Sequence, residues 1–127
     1  MENHSPMART VTYWVSTALI AALFAVPGVA LIARAPHFVA EMAHLGYPAY
    51  FLGILGPWKV LAAVTVLVPR LARPKEWAYA GMIFDATSAA ASRAEVGDGA
   101  LAVIVPLAIA GLVVVSWVLR PEGRVLK

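Results

Sequence analysis

The chain has 127 residues, 61% hydrophobic and 13% charged, with no cysteine and a formal net charge of +3. Soluble domains carry about a quarter charged residues, so this composition, with a mean hydropathy of +0.79, excludes an ordinary water-soluble fold. The missing thiols exclude disulfides, thiolate nucleophiles and iron–sulfur ligation. Its basic residues sit in short blocks beside apolar runs, which argues for membrane flanks and against nucleic acid as a partner.

Four apolar stretches follow in chain order, at about 11–33, 50–68, 77–92 and 100–119. About 20 helical residues cross a hydrocarbon core, so the first, second and fourth qualify outright; the third is short and Ala-rich and needs its neighbours. With no internal repeat and no strand-like alternation, the pattern predicts an all-α fold: one domain over 1–127, a four-helix transmembrane bundle with short loops. Arg9 precedes the first stretch and Ala33-Arg34-Ala35 resembles a cleavage site, but the stretch exceeds the 7–15 residues of a signal-peptide core. It is read as an uncleaved anchor.

Between the first two stretches, His37, Glu41 and His44 share one helical face at i, i+4, i+7, a spacing compatible with metal ligands. Phe38, Met42 and Leu45 form the opposite face, so the segment reads first as a short amphipathic helix at the outer interface, its polar face solvated and its end set by Gly46 and Pro48. No metal site is expected. Asp98, before the fourth stretch, reads as a helix N-cap, and Arg93 with Glu95 as a solvated loop pair.

Orientation follows from the flanks. Arg9, Arg70, Arg73, Lys75, Arg120, Arg124 and Lys127 lie on one side, against Arg34 and Arg93 on the other. That bias predicts cytoplasmic termini in a multi-pass inner (plasma) membrane protein. Trp14, Trp77 and Trp117 then mark the inner interface, Tyr47 and Tyr50 the outer.

Lys59 and Asp85 fall near the midpoints of the second and third stretches. A charge at bilayer depth is costly and normally faces the bundle interior with a partner, so the two are expected to pair. Gly56, Lys59 and Ala63 form one small-residue stripe and Gly81, Asp85, Ser88 and Ser92 another, which predicts that these stripes pack against each other. Pro57 frees the Gly53 carbonyl as a second acceptor for Lys59, and Pro27 and Pro106 free those of Leu23 and Ala102. Bent helices around a charged pair suit a pocket lined by Gly56, Trp58, Gly81, Ser88 and Ser92. The pair reads either as a structural staple or as a ligand or proton site.

His4, His37 and His44 lie outside the apolar stretches, so no intrinsic haem is expected. No phosphate-binding, zinc-protease or serine-hydrolase motif occurs.

Several segments together carry a family likeness: His44-Leu45-Gly46-Tyr47-Pro48 with Tyr50-Phe51; Ile54-Leu55-Gly56 with Lys59-Val60-Leu61; Lys75-Glu76-Trp77-Ala78-Tyr79-Ala80-Gly81 with Phe84-Asp85; and Val96-Gly97-Asp98. They resemble the DoxX-like family of small four-helix bacterial membrane proteins, over most of the chain. Members often carry histidine after the serine closing the third helix, where Arg93 follows Ser92 here. The family is named from a membrane subunit of archaeal quinone-linked oxidation. The resemblance thus implies an accessory or membrane subunit, with a quinone or other lipophilic small molecule and a redox partner or second copy as associates. The alternative is a membrane enzyme on a lipophilic substrate, with Asp85 as acid or base and Lys59 as its electrostatic partner. A proton-coupled carrier, formed by oligomerisation, comes third.

Overall fold

The computed structural model describes residues 6–68 and 71–121. These are all helical or loop: α1 (Pro6–Ile32), α2 (Pro36–His44), a 3-10 turn (Ala49–Phe51), α3 (Leu52–Leu67), α4 (Ala72–Glu95) and α5 (Ala100–Val118). Three helices are long and apolar enough to cross a membrane: α1, the turn with α3 (Ala49–Leu67), and α5. Of the flanking charges, Arg70, Arg124 and Lys127 lie outside the described residues, as does His4.

The helices run past the apolar stretches that announce them. α1 begins at Pro6, where proline's missing N–H costs nothing in a first turn. α4 starts before Trp77, after Leu71 turns the chain in the left-handed region (φ 49°), and continues through Arg93, Ala94 and Glu95. Good helix formers do not need apolar character to propagate a helix.

Three helix ends close by the same device. After α2, Gly46 (φ 88°) lets the Tyr47 N–H reach the Met42 carbonyl at 2.9 Å, and after α4, Gly97 (φ 79°) lets Asp98 N–H reach Arg93 at 2.9 Å. α1 ends likewise, with Ala35 N–H on the Ala30 carbonyl, but places Arg34 (φ 57°) in the left-handed position that glycine usually takes.

α1 packs most extensively on α3, and α4 on α5; α1 with α5 and α3 with α4 close the ring. Ile20, Ala21, Phe24, Ala63, Val66, Tyr79, Met82 and Val113 form the core. The start of α1 and the end of α5 meet: Arg9 donates to the Val118 carbonyl (3.2 Å), and Arg120 pairs with Glu76, which also accepts from Trp117 Nε1 (3.0 Å). Here α1, α4 and α5 share a buried hydroxyl cluster, Ser116 Oγ lying 2.6 Å from Thr17 Oγ1 and 2.8 Å from the Tyr79 hydroxyl.

The small-residue contact differs from the expected one. A Cβ on Gly56 would lie 2.8 Å from Ile32 Cγ1 and 2.9 Å from the Gly28 carbonyl oxygen, whereas one on Gly81 would meet nothing within 4 Å. The close approach is therefore between α1 and α3, through Gly28 and Gly56. At Gly81, α3 and α4 leave a groove that Trp58, Lys59 and Trp77 also line.

The corner from α3 to α4 turns on Lys75. Its side chain is fully buried, and its ammonium donates to the Thr65 carbonyl (2.6 Å) and to that of Val68. The last carbonyls of a helix have no intrahelical donors and carry partial negative charge, so a lysine folded back on them satisfies both deficits. From sequence, Lys75 reads only as a flanking charge.

Candidate functional site

α3 brings Lys59 and α4 brings Asp85 to the same level, where Lys59 Nζ donates to Asp85 Oδ2 at 2.8 Å. Their side chains are 16% and 23% exposed, too enclosed for a surface ion pair and too open for a sealed one. The ammonium also stands 4.9 Å from the Phe24 ring centroid, a cation–π contact from α1. Its described partners do not include the Gly53 carbonyl that Pro57 frees. Asp85 Oδ1 has no hydrogen-bond partner among the described residues.

Two cavities meet at this pair. The larger, about 420 Å³, is a groove between α3 and α4 lined by Phe24, Trp58, Ala62, Trp77, Gly81 and Met82 among others. Its polar members are the pair itself, the indole N–H groups of Trp58 and Trp77, and Thr65, whose hydroxyl is already bound to the Leu61 carbonyl (2.7 Å). Trp58 and Trp77 are each about two-thirds exposed and flank the opening. The smaller cavity, about 190 Å³, lies beneath α2 and shares Leu55, Lys59 and Asp85 with the groove; Ser88, Ser92, Tyr47, Glu41 and Arg93 give it a polar wall.

Of the residues expected to form one pocket, Trp58 and Gly81 line the groove, Ser88 and Ser92 line the second cavity, and Lys59 and Asp85 line both. Gly56 borders neither; it is buried against α1.

At the α2 end, Arg93 organises what composition left scattered. It donates to Glu41 (2.7 Å) on α2 and to Asp98 (3.1 Å) beyond α4. His44 Nε2 lies 2.8 Å from Asp98 Oδ1, and the Tyr47 hydroxyl 2.6 Å from Ser92 Oγ. The face carrying Glu41 and His44 is therefore docked on α4 and its loop rather than simply solvated, and Arg93 takes Glu41 and Asp98 rather than Glu95. Asp98 is not the N-cap, because Gly99 holds that position and the carboxylate faces His44 and Arg93 instead. Those two donors hold the Asp98 carboxyl below the usual carboxylate range, His44 contributing most. No group of three or more acidic, histidine or cysteine side chains is arranged for a metal among the described residues.

Sequence reasoning missed this latch, the Lys75 cap and the Phe24 contact. Arg93 carried one usable signal, a cation at the end of a helix followed by Asp98. Its distant partner on α2 has no local trace.

An arrangement of this kind can seat an apolar body in the groove with one polar atom against an ammonium, and can offer it a carboxylate oxygen not otherwise engaged. No curated protein and no solved structure matches the chain. The DoxX-like family model matches residues 15–116, and the chain belongs to that family.

Proposed function

We propose that this protein is a four-helix inner-membrane subunit, with both termini cytoplasmic, that holds a lipophilic molecule bearing a hydrogen-bond acceptor, of the quinone class, in the groove between α3 and α4. One observation carries the reading: an apolar groove of about 420 Å³ whose wall holds an ammonium and a carboxylate at mid-helix. Ligand pockets of some hundreds of Å³ with apolar walls and a few convergent polar groups are the usual form of small-molecule sites.

The membrane supports it physically. α1, α3 and α5 expose Val15, Leu19, Val29, Leu61, Val64, Leu101 and Ile104 on their outward faces, which suits lipid and not water. α4 carries too much charge to cross alone, but Asp85 is neutralised by Lys59 and Lys75 by helix-terminal carbonyls, while Arg73, Glu76, Arg93 and Glu95 lie toward its ends. Arg9, Arg73, Lys75 and Arg120, at the end where α1 starts and α5 finishes, support the inward orientation. Reporter fusions after Arg73 and after Lys127 should read as cytoplasmic and one near Ala43 as external; the reverse pattern overturns the topology.

A chain without cysteine or a mid-helix histidine needs a bound cofactor or a partner for any redox role, which favours an accessory role beside a redox partner or a second copy. The acid–base reading is favoured by the unengaged Asp85 Oδ1. A multiple-turnover assay separates the two: under the acid–base reading, a folded Asp85→Asn variant that still binds ligand loses turnover.

The binding test uses the tryptophans. A short-chain benzoquinone in the groove should quench Trp58 and Trp77 saturably, with the quenching lost in Trp58→Phe/Trp77→Phe and weakened in Lys59→Met. Non-saturable quenching, or unchanged affinity in Lys59→Met, refutes the proposal.

A further inference from the structure

We propose that the smaller cavity beneath α2 is a hydrated chamber that connects the Lys59–Asp85 pair with the aqueous phase at the α2 end, and with that phase only. The inference takes its sidedness from the membrane-spanning reading above but does not depend on a quinone.

The two cavities are chemically unlike although they share the pair. Beyond the pair and an already bonded Thr65, the groove's polar groups are the indole N–H groups of the exposed Trp58 and Trp77 at its opening, so its inner wall gives water little to hold. The chamber brings Glu41, Tyr47, Ser88, Ser92 and Arg93 around about 190 Å³, space for several water molecules. A stable buried water needs two to four polar partners, and this wall supplies them at successive turns of α4: Asp85, Ser88 and Ser92.

Ser88 is the informative residue. A helical serine or threonine commonly returns its hydroxyl to a carbonyl one turn back, as Thr87 does to Ile83 at 2.7 Å. Ser88 makes no such bond and has no protein hydrogen-bond partner among the described residues. Its hydroxyl lies one turn from Asp85, whose Oδ1 is also without a protein partner, and one turn from Ser92, which is bonded to Tyr47. Asp85, which borders both cavities, and the exposed Ser88, which borders the chamber, thus bring two unmet polar atoms to its wall, the partners a water file needs. It would run from Asp85 past Ser88 and Ser92 to Arg93 and Glu41, the latter 41% exposed at the molecular surface.

In the opposite direction the pair borders the groove, whose mainly apolar wall runs on to Thr65, Pro74 and Trp77, while behind it Phe24, Ala63, Val66 and Met82 are buried and offer water no partner. A proton taken up or released at the pair is therefore exchanged through the chamber, on the α2 side.

The absence of native cysteine makes the test clean. Single-cysteine variants Ser88→Cys and Ala89→Cys, both on the chamber wall, and Ala62→Cys, on the groove wall, are placed in proteoliposomes of known orientation. Each is treated from one side with a charged, membrane-impermeant methanethiosulfonate. Both chamber variants should gain one adduct from the α2 side and none from the other, while Ala62→Cys should react only with a lipophilic maleimide. If neither chamber variant reacts from the α2 side, or if either reacts equally from both sides, the chamber proposal is wrong. Should Ser88→Cys fail to fold, Ala89→Cys decides alone. Quinone quenching at Trp58 and Trp77 is read separately, so an unreactive chamber with intact quenching overturns this inference and leaves the groove reading standing.

Discussion

Gly28 and Gly56 face each other across the α1–α3 seam so closely that a methyl group on Gly56 would stand 2.9 Å from the Gly28 carbonyl oxygen. The obstruction is backbone, which cannot swing away as a side chain does. Gly56→Ala should therefore cost about 1–3 kcal/mol, the usual range for overpacking, read as a lower unfolding midpoint in detergent. Gly81→Ala meets nothing within 4 Å and should be neutral or stabilising by up to about 1 kcal/mol from helix propensity alone. Equal losses at the two positions would show that α4 approaches α3 as α1 does.

The Lys59–Asp85 pair should behave as a coupled unit. Lys59→Met or Asp85→Asn alone leaves a partly buried polar group unmatched and should cost roughly 1–3 kcal/mol, reduced by the chamber's access to water. The double variant should recover much of that loss. Simple additivity would mean that the residues do not interact. Ligand binding then tells a staple from a site, because a stable double variant that no longer binds quinone has lost a recognition element.

Replacing Lys75 by methionine keeps the volume of the stem and removes the donor to Thr65 and Val68. These carbonyls are partly buried, so each one left without a partner costs at most about 1–3 kcal/mol. The expected result is a marked fall in thermal stability with quinone affinity preserved in the folded fraction. A variant as stable as the parent would show that water reaches this corner.

The latch at the α2 end should depend on acidity. His44 and Arg93 depress the Asp98 pKa in the folded protein, so the stabilisation is complete above the ordinary carboxylate pKa and disappears as pH falls through the lower folded value. Hydrogen exchange of α2 amides should be flat from neutral pH to about 4, after correction for intrinsic rates, and rise below it. In Asp98→Asn the dependence should flatten, with α2 looser throughout. A transition centred near neutrality would assign the control to another group.

The sequence made the helices and the central pair legible because hydrophobic runs and intramembrane charges are strong, local signals. Lys59 and Asp85 could be placed at one level from residue counts alone, since the rise per residue is fixed. Which face each small residue turns to a neighbour was not readable: Gly56 and Gly81 look alike in a stripe, and only the packing of α1 against α3 separates them. Nor was the partnership of Arg93 with Glu41, 52 positions away, whose meeting depends on α2 folding back over the bundle. Lys75 misled for a different reason, as a basic residue after an apolar run serves equally as a flanking charge and as a helix-end cap.

The pairing of α1 with α3 and of α4 with α5 also implies an order of assembly. α1 and α3 are each apolar enough to partition into lipid unaided, and they carry the glycine seam that lets them associate first. Among the described residues α4 is the one long helix that fails that threshold, and its chain successor α5 is the most apolar of the three that pass it. During synthesis α4 would thus wait at the insertion machinery until α5 emerges, the two entering as a hairpin whose Asp85 is received by a Lys59 already in place. On the topology proposed above, a chain terminated and released after about residue 98 should leave α4 on the cytoplasmic face, accessible to protease.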